Sequence, residues 1–445
     1  MRAAWLLLPL LLLGCGAPPP IPQRYPTRAG AYATAADLAD PAELAWLSGF
    51  ATVEAGDLWD GPGAYAGLAR KGVRLLGYEW MPAAYHYTDG EPDPPHAAWL
   101  YRNRAWASLN PKGPYPHCRA MGYDWCQDYY YDYGDERTRA GRVARLERAL
   151  AGWGGVFLDW GPGVFIDEPA YRPLKETFAA RHPGEDYLEA VGRFYRDLRK
   201  ALGRDRRVVS NQGFRNPDRV LPQVNLDMTE SYAVGEAYLG RRLRLVGRGE
   251  VEVPDTLYYP VSSDFRRGRL EDSLDWLKEL DKLGRKYGGP AFSGFVYMNY
   301  AAPRFVPLGD GTYRAEMPKN AILFGYALPM LKGIPAYTEV PFDRRLERLP
   351  VYQADLGRPL GNDYRQQEGV YLRFYERGLV LVGELPGPTV LRLRSPRIRA
   401  GRLYDFYTGS WIRADEGALA WRLVPEPDPV TGRPAPVGRV LVYGE

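Results

Sequence analysis

The chain is 445 residues long, 45% hydrophobic and 25% charged, which is the make-up of a folded protein with room for two domains. A formal charge of +4 on that length argues against a nucleic-acid partner. Only four His occur (His86, His96, His117 and His182), with no HExxH or paired spacing, so no metal site built on His is expected. GxSxG, GxGxxG and Walker A patterns are missing too, which argues against serine-elbow and nucleotide chemistry and calls for no cofactor.

In chain order, Arg2 precedes an apolar run from Ala3 to Leu13, followed by Gly14 and Cys15. A basic start, a short apolar core and a small-residue stop read as a secretory signal, too short to span a bilayer comfortably. The ending Leu12-Leu13-Gly14-Cys15 resembles a bacterial lipobox. It implies cleavage before Cys15, lipid on its thiol, and an extracytoplasmic protein held to the cell membrane or secreted. A Pro-rich tether over 16–40 follows. The other cysteines, Cys118 and Cys126, are eight apart in a Tyr-rich stretch and leave a disulfide open.

Apolar strand-like runs then alternate with amphipathic helical stretches. LSGFATVEA (47–55), VRLLGYEW (73–80), DWCQDYYYDYGD (124–135), GGVFLDW (154–160), RRVVSNQG (206–213), VNLDMTESY (224–232), DTLYYPVS (255–262) and AFSGFVYMNYA (291–301) are the strand candidates. Strand then helix, about eight times over, predicts an α/β protein of the (β/α)8 TIM-barrel kind across 41–345. Polar residues stand where the runs stop: Glu54, Glu79, Asp132, Asp159, Asn211, Glu230 and Asn299. Barrel chemistry gathers at the C-terminal ends of strands. Residues 346–445 change character to short β-rich segments cut by Gly and Pro, which predicts an antiparallel β-sandwich domain.

Glycoside hydrolysis needs two carboxyl groups flanking one bond. Asp159 and Glu230 each close an apolar run, and the count places them on strands four and six. One strand apart on the rim, both can reach a single sugar ring. The competing reading is a helix cap for Asp159 and a rim salt bridge for Glu230. Asp227 lies three residues before Glu230 inside the strand and reads as an internal hydrogen-bonding residue. Asp167 and Glu168 follow strand four as helix caps or subsite residues, and Asp135 as a helix cap. Asp132 is a candidate substrate contact. Asn211 is a candidate sugar contact and a hydrogen-bond donor to Asp159. The chain is 13% aromatic, and Tyr78, Trp160, Tyr232 and Tyr300 are the candidates for stacking on sugar faces.

DYGDERTR, the helix after it, GGVFLDW and DMTESY together resemble the TIM-barrel glycosidases around the endo-α-1,4-polygalactosaminidase family. The resemblance covers about residues 45–340 and implies Asp159 as nucleophile, Glu230 as general acid/base and a retaining reaction. Its strand-four motif here is GGVFLDW rather than GFDGVFLD, the loop from Trp80 to Trp125 is long, and the C-terminal domain is additional. The expected function is therefore a glycoside hydrolase acting on an α-linked polysaccharide, an amino-sugar polymer among the candidates. The alternative is a non-catalytic saccharide-binding lipoprotein. A purely structural envelope protein leaves the acidic strand ends without a purpose.

Overall fold

The computed structural model describes residues 28–32, 38, 41–87, 95–113, 126–229, 238–245, 249–256, 270–289, 291–299, 304–316, 319–338, 351, 354–361, 363–427 and 434–444. Eight strands close a barrel: β1 (Arg28–Tyr32), β2 (Thr52–Asp57), β3 (Arg74–Trp80), β4 (Gly155–Asp159), β5 (Arg207–Asn211), β6 (Leu226–Thr229), β7 (Gly294–Asn299) and β8 (Ala336–Thr338). Each pairs in parallel with its neighbours in sequence, and β8 closes on β1. Helices fill the crossovers: α1 (Pro41–Leu47), α2 (Ala66–Arg70), α3 (Glu136–Ala149), α4 (Tyr187–Leu202), α5 (Pro217–Val220), α6 (Leu270–Tyr287) and α7 (Lys319–Met330), with a second helix at Pro95–Ala107 between β3 and β4 and another at Arg172–Arg181 between β4 and β5. The expected (β/α)8 barrel is thus the fold.

The crossover helices form where apolar residues recur at helical spacing and a cap starts them. In α4 the buried set Tyr187, Ala190, Val191, Phe194, Tyr195, Leu198 and Leu202 makes one stripe. Asp186 caps it by accepting from the Leu188 N–H. Asp135 does the same for α3, taking the N–H groups of Arg137 and Thr138, as the sequence leads one to expect.

Three strand assignments change. Arg28–Tyr32, inside the stretch read as tether, is the first barrel strand; its short RAGAY run follows a Pro-rich segment and carries no apolar signal. The Tyr-rich run is not a barrel strand. Cys126–Tyr130 pairs antiparallel with Ala83–Tyr87 as an excursion between β3 and β4. Asp255 and Thr256 end an antiparallel strand, Gly249–Thr256 paired with Tyr238–Leu245, and the last barrel strand is the three-residue β8. The two early substitutions offset one another, so Asp159 still closes β4 and β6 still ends next to Glu230.

The C-terminal domain holds β9 (Arg365–Gln367), β10 (Val370–Tyr375), β11 (Gly378–Gly383), β12 (Thr389–Arg394), β13 (Gly401–Asp405), β14 (Ser410–Asp415), β15 (Ala418–Leu423) and β16 (Val437–Tyr443). They bond antiparallel in the order β9-β10-β11-β16-β13-β14-β15-β12. The sheet folds over its own apolar core, which draws Leu372, Leu381, Leu391, Leu403, Trp421 and Leu441 from both halves. Its other face seats on α7. Gly438 lies so close that a Cβ would come within 2.1 Å of Phe324 Cα. Asn320 ties the seam by donating to the Pro436 carbonyl (2.8 Å) and accepting from Arg439 Nη1 (2.6 Å).

Candidate active site

Side chains alternate along a strand, so every second residue enters the barrel lumen. In the middle of the lumen Leu76, Phe157, Val209, Met228 and Val296 form an apolar cluster, with Tyr78 and Leu226 packed against it. Two residues further toward the C-terminal ends of β3, β4 and β5 stand Tyr78, Asp159 and Asn211. Tyr78 OH donates to Asp159 Oδ2 (2.7 Å), and Asn211 Nδ2 donates to Oδ1 (2.7 Å). The Trp160 N–H also donates to Oδ1 (2.8 Å). Three donors satisfy a half-buried carboxylate and hold it at one orientation over the apolar layer.

The backbone turns sharply after two of these residues. Trp160 has φ 53° and Gln212 φ 59°, left-handed conformations that side chains other than glycine's seldom adopt. The turn at Trp160 folds its N–H back to its own neighbour Asp159. It also lays the indole on Trp80, with ring centroids 5.3 Å apart and planes 26° apart. Phe165 and Tyr171 pack round Trp160 behind this pair. Trp80 and Trp160 are both half-buried; Trp80 stands beside Asp159 in the strand register and Trp160 follows it in the chain.

The adjacent Glu79 points out of the lumen and pairs with Arg142 of α3, both buried. Arg142 Nη2 also donates to the Trp80 carbonyl (3.1 Å), and its guanidinium lies over the Tyr131 ring at 4.4 Å. Trp59 Nε1 donates to the other Glu79 oxygen. Glu79 and Tyr131 favour the charged form of Arg142 and hold its pKa above the ordinary range against burial. This buried pair fixes the strand end that carries Trp80. Neither Trp80 nor the pair stands out in the sequence, because only the fold brings Arg142 to Glu79.

Asp132 is not on the rim of the lumen. It is fully buried beside the excursion hairpin, where His182 Nε2 (2.8 Å), Arg181 Nη1 (3.1 Å) and the Gly134 N–H (3.2 Å) occupy its oxygens. Its carboxylate is committed to protein partners, which corrects its assignment as a substrate contact. Tyr78 likewise meets Asp159 through its hydroxyl, and its ring stacks on Phe157 (6.0 Å). Asp167 pairs with Lys175 at the surface (2.5 Å), while burial raises the pKa of exposed Glu168 and Arg215 opposes the rise. Glu230, Tyr232, Tyr300, Cys15 and Cys118 lie outside the described residues.

Asp227 faces away from the lumen and is wholly buried. Ser210 Oγ (2.5 Å) and the Gly213 N–H (2.6 Å) donate to Oδ1, and the Phe214 N–H (2.9 Å) donates to Oδ2. Burial pushes its pKa up to about 7 against these three donors. Asp227 thereby ties down the turn that follows Asn211. Among the described residues, no group of three or more His, Cys, Asp or Glu is placed to hold a metal ion.

No protein-family model matches the chain, and no curated protein matches it in sequence. Among solved structures it is similar to the glycoside hydrolase domain of PelA from Pseudomonas aeruginosa, at 17% identity and TM-score 0.39, covering 71% of this chain and 95% of that one. It is also similar to the α-amylase of Geobacillus thermoleovorans complexed with acarbose, at 10% identity and TM-score 0.47, covering 95% and 99%. The α-amylase of Malbranchea cinnamomea stands at 10% identity and TM-score 0.44, covering 95% and 97%.

Proposed function

We propose that the protein is a glycoside hydrolase that cleaves a polysaccharide at the C-terminal mouth of its barrel, with Asp159 as nucleophile. One observation carries the reading: a lumen carboxylate held by Tyr78, Asn211 and its own turn, beside the Trp80–Trp160 pair. The three donors fix the orientation of the carboxylate for attack. The paired indoles offer an apolar face against which a sugar ring can stack.

Glu230 is the proposed general acid/base, since it directly follows β6, with only β5 between that strand and the one that carries Asp159. The retaining course, the α-linkage and the amino-sugar polymer follow from the polygalactosaminidase resemblance. In a retaining reaction the two carboxyl groups stand about 5–5.5 Å apart, against about 6.5–9.5 Å in an inverting one. Asp159 attacks the anomeric carbon while Glu230 gives its proton to the departing oxygen. Glu230 then takes a proton from the water that releases the sugar. Cys15 is proposed as a lipid anchor that keeps the enzyme outside the cytoplasm.

The test is a screen of the purified protein against cell-wall and biofilm polysaccharides, with Asp159→Asn and Glu230→Gln beside it. Turnover by wild type that Asp159→Asn abolishes supports the reading. Glu230→Gln should still form the intermediate from substrates with good leaving groups, which need no proton. Binding without turnover by wild type on every polymer would instead make this a saccharide-binding lipoprotein.

A further inference from the structure

The lumen is polar at its other end too. Two residues before Leu76 and Val209 along their strands stand Arg74 and Arg207, the first residues of β3 and β5. Register puts Thr52 of β2 beside Arg74, and Gly155 of β4 beside Arg207. By the period of two, both arginines enter the lumen beneath the apolar layer, opposite the Asp159 end. Arg207 Nη1 donates to Thr52 Oγ1 (3.3 Å), although three strand-to-strand steps separate β5 from β2. Its guanidinium therefore crosses the barrel floor. Gly155 leaves room for that crossing, since a Cβ there would come within 2.8 Å of Arg207 Cβ and 2.2 Å of its carbonyl oxygen.

A cleft of about 530 Å³ opens at this floor, lined by Thr52, Arg74, Gly152, Gly154 and Arg207 among others. Among the described residues neither arginine has a carboxylate partner. Burial lowers the pKa of Arg207, and the neighbouring charge of Arg74 lowers it further. Helices α2 and α3 end at the same floor with Arg70 and Arg148 in their last turns. All the charge named here is of one sign.

We infer that the barrel floor binds a phosphate-class oxyanion between Arg74 and Arg207. Guanidinium forks match the oxygens of such an anion, and an anion between them relieves their mutual repulsion. The oxyanion is either free phosphate or the phosphate of a lipid headgroup. β1 starts at this end of the barrel with Arg28, thirteen residues after Cys15. A lipid on Cys15 would turn the floor toward the bilayer and the Asp159 mouth away from it. Only this lipid source rests on the proposed anchor; the oxyanion site itself is independent of the glycosidase reading.

The test is calorimetric titration of the full chain with inorganic phosphate, against chloride at matched ionic strength. Wild type should bind, and Arg74→Gln or Arg207→Gln should each weaken binding about tenfold or more, as loss of a charge-assisted contact does. Arg207→Lys should fall between, keeping the charge without the fork. Arg74 is exposed, so Arg74→Gln should stay folded by circular dichroism even where Arg207→Gln does not. Vesicles then separate the sources. Preference for phosphatidylglycerol over pure phosphatidylcholine, lost in Arg74→Gln, assigns the site to a headgroup, whereas phosphate binding without that preference assigns it to a free oxyanion. Equal phosphate binding by wild type and the Arg74→Gln/Arg207→Gln double variant, or none by wild type, overturns the site.

Discussion

Asp159 on β4 and Asp227 on β6 each accept three hydrogen bonds, but from different kinds of donor. Asp159 takes the side chains of Tyr78 and Asn211 from the two flanking strands, plus the N–H of Trp160. Asp227 takes Ser210 Oγ and two N–H groups of a single turn. One is half-buried in the lumen; the other is sealed outside it. A carboxylate held by side chains from separate strands and only half-buried keeps a side open to a ligand. A carboxylate that collects the N–H groups of one turn holds that turn. The number of donors does not distinguish the two roles; their origin and the remaining exposure do. The pair is also linked, because the turn held by Asp227 begins right after Asn211, which holds Asp159.

The sharpest way to test this contrast is to neutralise each acid in turn. Asp159→Asn should lower turnover on the order of 10⁴-fold, as loss of a covalent catalyst does. Its melting temperature should stay within a few degrees of wild type. A variant that unfolds instead would place Asp159 with the structural carboxylates. Asp227→Ala should do the reverse and cost stability first. It strands the Ser210 hydroxyl and the Gly213 N–H, both buried, and the part-buried Phe214 N–H, at about 1–3 kcal/mol for each buried unsatisfied group. Urea unfolding reads this directly, and an unchanged midpoint would break the assignment.

The pH dependence of stability provides a finer test. Burial raises the pKa of Asp227 to about 7 in the folded protein, whereas in the unfolded chain it lies near the ordinary value of about 3.9. Folding therefore favours the protonated form. The contribution of Asp227 to stability is fully present below about pH 4, falls as pH rises toward 7, and is flat above that. The shift of about three units corresponds to a few kcal/mol. Asp227→Asn removes this dependence, so wild type minus variant should decline between pH 4 and 7 in thermal melts. A difference that rises with pH would show that the three donors outweigh burial.

The position of Asp159 at the end of β4 was legible in the sequence because the apolar run GGVFL stops there, before WGPG. Asn211 was legible for the same reason, at the end of RRVVSNQG. Asp132 misled because the Tyr-rich run before it has strand composition. Composition cannot tell a barrel strand from an excursion hairpin, and His182, which takes its carboxylate, is fifty residues away. β1 and β8 went unread because a closed barrel needs only three to five paired residues at its seam, too few for a period to show. Glu79 read as one more polar strand end, but its direction was fixed by parity: it alternates with Tyr78 and so leaves the lumen. That same alternation was available at the other end of the strands, where Arg74 and Arg207 have the parity of Tyr78 and Asn211.

The smallest expected effect, and the most discriminating, comes from Tyr78→Phe. The change keeps the ring that stacks on Phe157 and deletes only the hydroxyl that donates to Asp159 Oδ2. One hydrogen bond to a charged acceptor is worth about 1.5–3 kcal/mol, which corresponds to a loss of roughly ten- to a hundredfold in turnover. If Tyr78 positions the nucleophile, the loss should fall on kcat with KM nearly unchanged, and the melting temperature should stay put. If Tyr78 is instead a sugar platform, Phe keeps the stacking surface and neither constant should move. If its hydroxyl mainly seals the layer beneath Asp159, the melting temperature should fall together with kcat. The three outcomes separate aiming, stacking and packing at one residue, and the 2.7 Å contact with Asp159 favours aiming.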